Sequence, residues 1–246
     1  MKYYYDLHIH SILSPCGDND MTPNNIVNMS KLCGLDIIAL SDHNTCGNVE
    51  ATAVAAKNCG VIFIPGMELE TAEEIHVLCL FENVESALAF EKEVVAPALP
   101  PVKNNERIFG KQVLMDSDDN ELGTDDRYLI NATSITIDDA ALLVKKYNGV
   151  AIPAHIDKQI KSVISVFGMV DESMGYDVFE LSKNAPEDFT ATQFSLKDAN
   201  YSYIHNSDAH YLCDISDGDG ENYLEFNEKP TPKDVINALK CTKRMN

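Results

Sequence analysis

The chain has 246 residues, 45% of them apolar and 24% charged, with a formal net charge of −20. That size suits one large α/β domain or two smaller ones, and the composition is that of a globular chain without low-complexity tracts. No apolar run approaches the roughly 18 residues of a membrane span, and the acidity argues against the basic surface that long nucleic acids select.

The opening "MKYYYDLHIH" has no apolar core of signal-peptide length. Seven cysteines without CxxC spacing do not suggest a disulfide framework. A reduced, cytoplasmic protein is the expectation.

Strands and helices alternate along the chain. "YYYDLHIH" reads as a strand, and "TPNNIVNMSKLCG" as a helix with Thr22 as N-cap, Pro23 in the first position and Gly34 at the stop. "LDIIALSDH" is a continuous apolar run, as in a strand buried on both faces. The helix "NVEATAVAAKNCG", the strands "VIFIPGMELE" and "IHVLCLF", and the helix "VESALAFEKEVVAPAL" follow. A proline-bearing connector leads into "KQVLMDSDDNELGTDDRYLI", read as two strands around an Asp/Asn/Gly turn, so residues 100–135 are expected to be an insertion. The helix "IDDAALLVKKYNG", the strand "VAIPAHID", a helical or loop segment near "KQIKSVISVFG" and the strand "YDVFELS" restore the alternation. The helix "PEDFTATQFSLKDA", the strands "YIHNSDAH" and "NYLEFNE", and the helix "TPKDVINALK" close it. Such repetition predicts one parallel sheet, open or closed into a barrel.

His8 and His10 lie at i and i+2 of the first strand, so they point to one face about 6.5 Å apart. Alone, the pair reads either as two converging metal ligands or as two hydrogen-bonded core histidines. The remaining strand ends favour ligands: Asp42 and His43, Glu68 and Glu70, His76, His155, and Asp208 and His210. Six of the seven histidines fall at or near strand ends, where α/β architectures form their sites. Imidazole and carboxylate without cysteine suit Zn, Mn or Fe, and a carboxylate can bridge two ions. Together they predict a multinuclear metal site.

The ordered set "DLHIH", "SDHN", "GMELE", "IHVL", "PAHID" and "NSDAH" resembles the PHP (polymerase and histidinol phosphatase) family of metal-dependent phosphoesterases from residue 6 to about 210. The resemblance implies a distorted (β/α)7, TIM-like barrel over 1–246, with the hairpin of 100–135 inserted, and a cleft for two or three divalent ions. His8, His10, Glu68 and Asp208 would hold one ion. Glu68, His76 and His155 would hold a second. His43, His210 and a residue of the first loop would hold a third. Aligning "MTP" at the helix start places Asp18 there, the favoured reading because a carboxylate matches the other ligands. Counting from His10 places Cys16 instead, and Asp20 stays open. Asp42 either binds metal or orients a ligand histidine.

The implied reaction is phosphoester hydrolysis by a metal-bound hydroxide. Asp208 would accept the water proton, and His43 and His210 would stabilise the leaving oxygen. Lys158, directly after "PAHID", and Arg127, in the inserted hairpin, are candidate phosphate contacts. Small phosphorylated metabolites or nucleotides are the expected substrates, with neither long nucleic acid nor membrane as partner. A non-catalytic metal-binding PHP module is one rival. An amidohydrolase-type enzyme is another, although no bridging lysine after a middle strand is evident.

Overall fold

In a computed structural model of the chain, residues 1–193, 195, 196, 201–218, 220 and 222–241 are described. β1 (Lys2–Ile9) pairs in parallel with β2 (Ile37–Leu40), and β2 in parallel with β3 (Ile62–Glu70). The connecting helices, Pro23–Leu32 and Val49–Cys59, pack Ile26, Val27, Val49 and Ala55 against the outer face of the sheet. The first helix begins as its sequence predicts: Thr22 caps the Asn25 amide and Pro23 occupies the first turn.

The parallel order ends at β3. β4 (His76–Leu80) returns antiparallel, with Glu70 opposite His76, because residues 71–75 are too few for a parallel crossover. β7 (Val150–Pro153) pairs antiparallel with β4 and so runs in the direction of β1–β3. β10 (Tyr223–Glu225) adds antiparallel to β1. The single parallel sheet expected from the alternation is thus a mixed six-stranded sheet, in the order β10-β1-β2-β3-β4-β7. β8 (Val178–Ser182) and β9 (Ser202–Asn206) form a separate parallel pair. This pair meets β7 through the Ile156 amide on the Glu180 carbonyl, 2.9 Å, and meets β1 through the Ala209 amide on the His8 carbonyl, 3.2 Å. The result is a mixed α/β fold with a curled, half-barrel sheet.

β5 (Val113–Met115) and β6 (Glu121–Thr124) make the expected hairpin, with the Asp116 carboxylate accepting the Asp118 and Asn120 amides in the turn. Asn48 ties it to the body by donating to the Val113 carbonyl and accepting from the Met115 amide. The helix predicted over 84–99 is α-helical over Val84–Phe90 and widens to a π turn over Glu91–Val95. Within the helix predicted over 186–199, only Phe189–Thr192 is helical among the described residues, and residues 194 and 197–199 lie outside them.

The concave side is layered. Leu7, Ile37, Ile62, Ile64, Leu78, Leu80, Ile152, Val178 and Ile204 fill its lower part and are closed from below by Val235, Ile236 and Leu239 of the helix Pro232–Cys241. One step up each strand the same face turns polar: Glu68 and Glu70 above Ile64, His76 beyond Leu78, Glu180 above Val178, and Asn206 above Ile204. Because β4 is antiparallel, its N-terminal His76 reaches the rim formed by the other strands' C-terminal ends. No helix among the described residues is long and apolar enough to cross a membrane.

Candidate metal centre

Two backbone irregularities aim the histidines inward. In β1, Asp6 pairs with Ile38 but Ile9 pairs with Leu40, so β1 carries one extra residue, a bulge. Ile9 therefore packs outside with Ile38 and Leu40, while His8 and His10 share the inner side with Leu7. Just after β7, His155 adopts φ +30°, which places Ile156 in the outer core and leaves the His155 ring on the rim. Asp208 likewise has φ +53°. Such backbones are strained in residues other than glycine and persist where surroundings hold them. At His155 the hold is a hydrogen bond donated by its backbone amide to Glu180 Oε2, 2.8 Å.

Glu68 is the hub. Its Oε1 lies 2.8 Å from His76 Nδ1, 3.2 Å from His155 Nε2 and 3.3 Å from His8 Nε2. Its Oε2 lies 3.0 Å from His43 Nδ1 and 3.5 Å from His10 Nε2. Asp208 Oδ1 stands 3.3 Å from Nε2 of both His8 and His10, and Lys158 Nζ bonds the other Asp208 oxygen. Among the described residues, three overlapping groups have donor atoms close enough to share an ion: His8–His10–Glu68, His43–Glu68–His76, and His10–His43–His210.

The donor chemistry fits divalent metal. Nε2 of His8 and Nε2 of His10 face each other at 3.1 Å in a fully buried setting, and Nδ1 of His155 is buried without a hydrogen-bond partner. Buried polar atoms without partners are costly, and a shared cation would satisfy the facing nitrogens of His8 and His10 together. The charges agree. Burial opposes ionisation of Glu68, but His76 and His8 outweigh it and hold its pKa well below the carboxylate range. Burial likewise opposes ionisation of Asp208, and His8 and His10 prevail. His8 is desolvated, yet Glu180, Asp208 and Glu68 keep its pKa well above that of free histidine. Burial, assisted by His210, holds His10 well below it.

The first loop differs from expectation. Asp18 points away: its Oδ1 accepts the Asp20 amide at 2.9 Å, and Asp20 is exposed. Cys16 takes the place beside the histidines, with Sγ 3.1 Å from His210 Nε2. Burial raises its thiol, but hydrogen bonds with His210 and His43 outweigh this and bring the pKa down to about 6. Asp42 accepts from the Ser11 amide, the Ser11 hydroxyl and the Ser14 hydroxyl, and Ser14 Oγ lies 3.0 Å from His10 Nδ1. It therefore supports His10 through Ser14. Arg127 is committed elsewhere, to Asp125 at 2.5 Å and Glu91 at 2.8 Å.

Two residues were not picked out in the sequence. Glu180, fully buried, reaches His8 Nδ1 at 2.9 Å and accepts from Asn206 Nδ2 at 2.7 Å. A glutamate inside the apolar run "YDVFELS" was the available signal. Lys161 pairs with Glu70 at 2.5 Å, next to His76, and carried no sequence signal.

The fold and this rim together define an α/β domain of half-barrel type with a cluster of donor groups that could hold metal. Residues 6–96 match the model of the PHP domain, and over this stretch the chain is similar to that family. The chain is 35% identical over 83 residues to a 5′-3′ exoribonuclease of Haemophilus influenzae, covering 32% of this chain and 29% of the relative. It is 34% identical over 98 residues to an uncharacterised protein of Methanocaldococcus jannaschii, 36% of this chain and 57% of that one. It thus spans less than two thirds of either relative. Among solved structures it superposes on the lesion-specific endonuclease Q of Pyrococcus furiosus with TM-score 0.69 and 21% identity, over 98% of this chain and 56% of the endonuclease. A candidate metal-dependent phosphoesterase of Bifidobacterium adolescentis gives TM-score 0.58 and 17% identity, over 99% and 97%.

These likenesses correct one expectation. Endonuclease Q, which shares this fold, forms a complex with a 27-mer duplex whose abasic lesion lies at the active site. A net charge of −20 therefore does not exclude nucleic acid. The physical reason is that distant charges are screened beyond about 8–10 Å, while bound divalent ions reverse the sign locally.

Proposed function

We propose that the chain is a metal-dependent phosphoesterase acting on nucleotides or on phosphoesters of nucleic acid. The observation that carries this reading is Glu68, whose two oxygens serve donor groups on both sides of one rim. Divalent ions bound there would acidify a water and neutralise phosphate oxygens. His8, His10, Glu68 and Asp208 are assigned to one ion, Glu68, His76 and His155 to a second, and His43 and His210 to a third. Asp208, with one oxygen toward His8 and His10 and the other on Lys158, is assigned to hold the attacking water and accept its proton. His43 and His210, whose rings lie 4.6 and 4.3 Å from that of His10, are assigned to the leaving oxygen. Lys158 would release Asp208 to meet a substrate phosphate. Residues 1–246 are treated as a single PHP domain with 100–135 inserted. The free thiols Cys16, Cys33, Cys46, Cys59, Cys79 and Cys213 support a reducing, cytoplasmic setting.

The test is hydrolysis by protein loaded with Mn, Zn or Fe. Substrates are mononucleotides, 5′-phosphorylated oligoribonucleotides, an abasic duplex and small phosphorylated metabolites, with a carboxamide as control. Chelator-sensitive release of phosphate or nucleotide, lost in Asp208→Asn, is expected. Metal-loaded protein that cleaves only the carboxamide, or nothing, would overturn the proposal.

A further inference from the structure

The first loop brings a thiol, not a carboxylate, to the third donor group. The chain tightens after His10: the Ser14 amide bonds the Ser11 carbonyl at 3.0 Å, and the Gly17 amide bonds the Ser14 carbonyl at 2.9 Å. A Cβ at Gly17 would collide with the Ser11 carbonyl oxygen, so the loop closes this tightly only with glycine there. The Asp18 amide then bonds the His210 carbonyl at 2.9 Å, which locks the loop against the His210 backbone. With its ends pinned in this way, the loop presents Cys16 Sγ to His210 Nε2 at 3.1 Å, while the Asp18 carboxylate turns back onto the Asp20 amide. Independently of the thiol, His10, His43 and His210 already have ligand atoms close enough to share an ion. His43 is buried, and its ring lies 4.6 Å from that of His10 and 6.4 Å from that of His210.

We propose that Cys16 joins His43 and His210 as a thiolate ligand at this third position, making it a site for a thiophilic divalent ion such as Zn. The other two positions are built from imidazole and carboxylate alone. On binding, the Cys16 S–H bond breaks, the proton leaves to solvent and an S–metal bond forms, with no change of oxidation state. Thiolate favours Zn and Co(II) over Mn(II), which prefers oxygen donors. The rim then holds positions of two different softnesses, and the metal requirement of the third is set by one loop residue. The inference rests on the reading of this rim as a metal centre.

The test uses the full chain, freed of metal and titrated anaerobically with Co(II). Wild-type protein should show a thiolate-to-cobalt charge-transfer band in the near ultraviolet beside the visible bands of nitrogen- and oxygen-ligated cobalt. Cys16→Ser and Cys16→Asp should both lose the charge-transfer band and keep the visible ones. Alkylation followed by peptide mapping gives a second readout on unmutated protein: Zn should protect Cys16 and leave Cys213 reactive. Cobalt uptake without the charge-transfer band, a band that survives in both variants, or a Cys16 alkylated equally with and without Zn would overturn the inference while leaving the metal centre standing. Absence of any cobalt uptake would overturn the metal centre and this inference with it.

Discussion

The carboxylate of Glu180 lies 2.9 Å from Nδ1 of His8, on the side of the ring opposite the nitrogen that faces Glu68 and Asp208. It thereby fixes which nitrogen is free to bind metal, and through the His155 amide it holds a second strand end in place. Glu180→Gln keeps the shape and removes the charge. We expect metal affinity to fall by about 10–100-fold, read by competition with a chromophoric chelator, with the far-ultraviolet circular dichroism unchanged. Unaltered affinity would show that the histidines orient themselves.

Glu68→Ala removes the carboxylate shared by two of the three donor groups. Elemental analysis of the reconstituted variant should show at least two fewer ions per chain than wild type. Loss of one ion or none would mean that the groups do not share this residue.

Gly66 sits two residues before Glu68, where an added Cβ would come within 2.8 Å of the Cys79 carbonyl and of Leu80 Cδ2. Neither the backbone of β4 nor that buried leucine has room to withdraw. Gly66→Ala should lower unfolding free energy by about 1–3 kcal/mol, the range of overpacked cores, measured by urea denaturation. A change below about 0.5 kcal/mol would refute the close packing of β3 on β4.

Tyr203, near the start of β9, has a buried hydroxyl without a hydrogen-bond partner, and burial pushes its pKa up to about 12. In the unfolded chain a tyrosine ionises near pH 10. Between roughly pH 10 and 12 the unfolded state therefore binds fewer protons, and stability falls as pH rises. Tyr203→Phe should lessen that alkaline decline, to which the buried Tyr5 and Tyr176 also contribute, and change stability at pH 7 by no more than about 1 kcal/mol. Urea titrations at pH 7 and between pH 9.5 and 11 decide it. An equally steep alkaline loss in the variant would assign the loss to other groups.

Much of the site was legible in the sequence because its signals are local. An i, i+2 pair of histidines on a strand, and polar residues that stop apolar runs, mark a rim whatever the sheet order. His8, His10, His43, Glu68, His76, His155, Asp208 and His210 all meet there. Strand directions were not legible, because an alternation of strands and helices reads alike for β4 and its parallel neighbours. The shortness of residues 71–75 was the clue.

What only the tertiary structure decided depends on contacts between distant segments. The bulge that turns His8 and His10 inward is a mismatch of register against β2, so β1 alone cannot show it. That Cys16 rather than Asp18 lies with its side chain beside His210 depends on the Asp18 amide bonding a carbonyl nearly two hundred positions along the chain, at His210. Charge misled for a related reason: net charge is a sum over the whole surface, whereas binding is governed by the field within a screening length of the site. The sequence by itself determined which side chains were available to ligate. The fold determined which of them face one another, because a ligand set is defined by distances across strands.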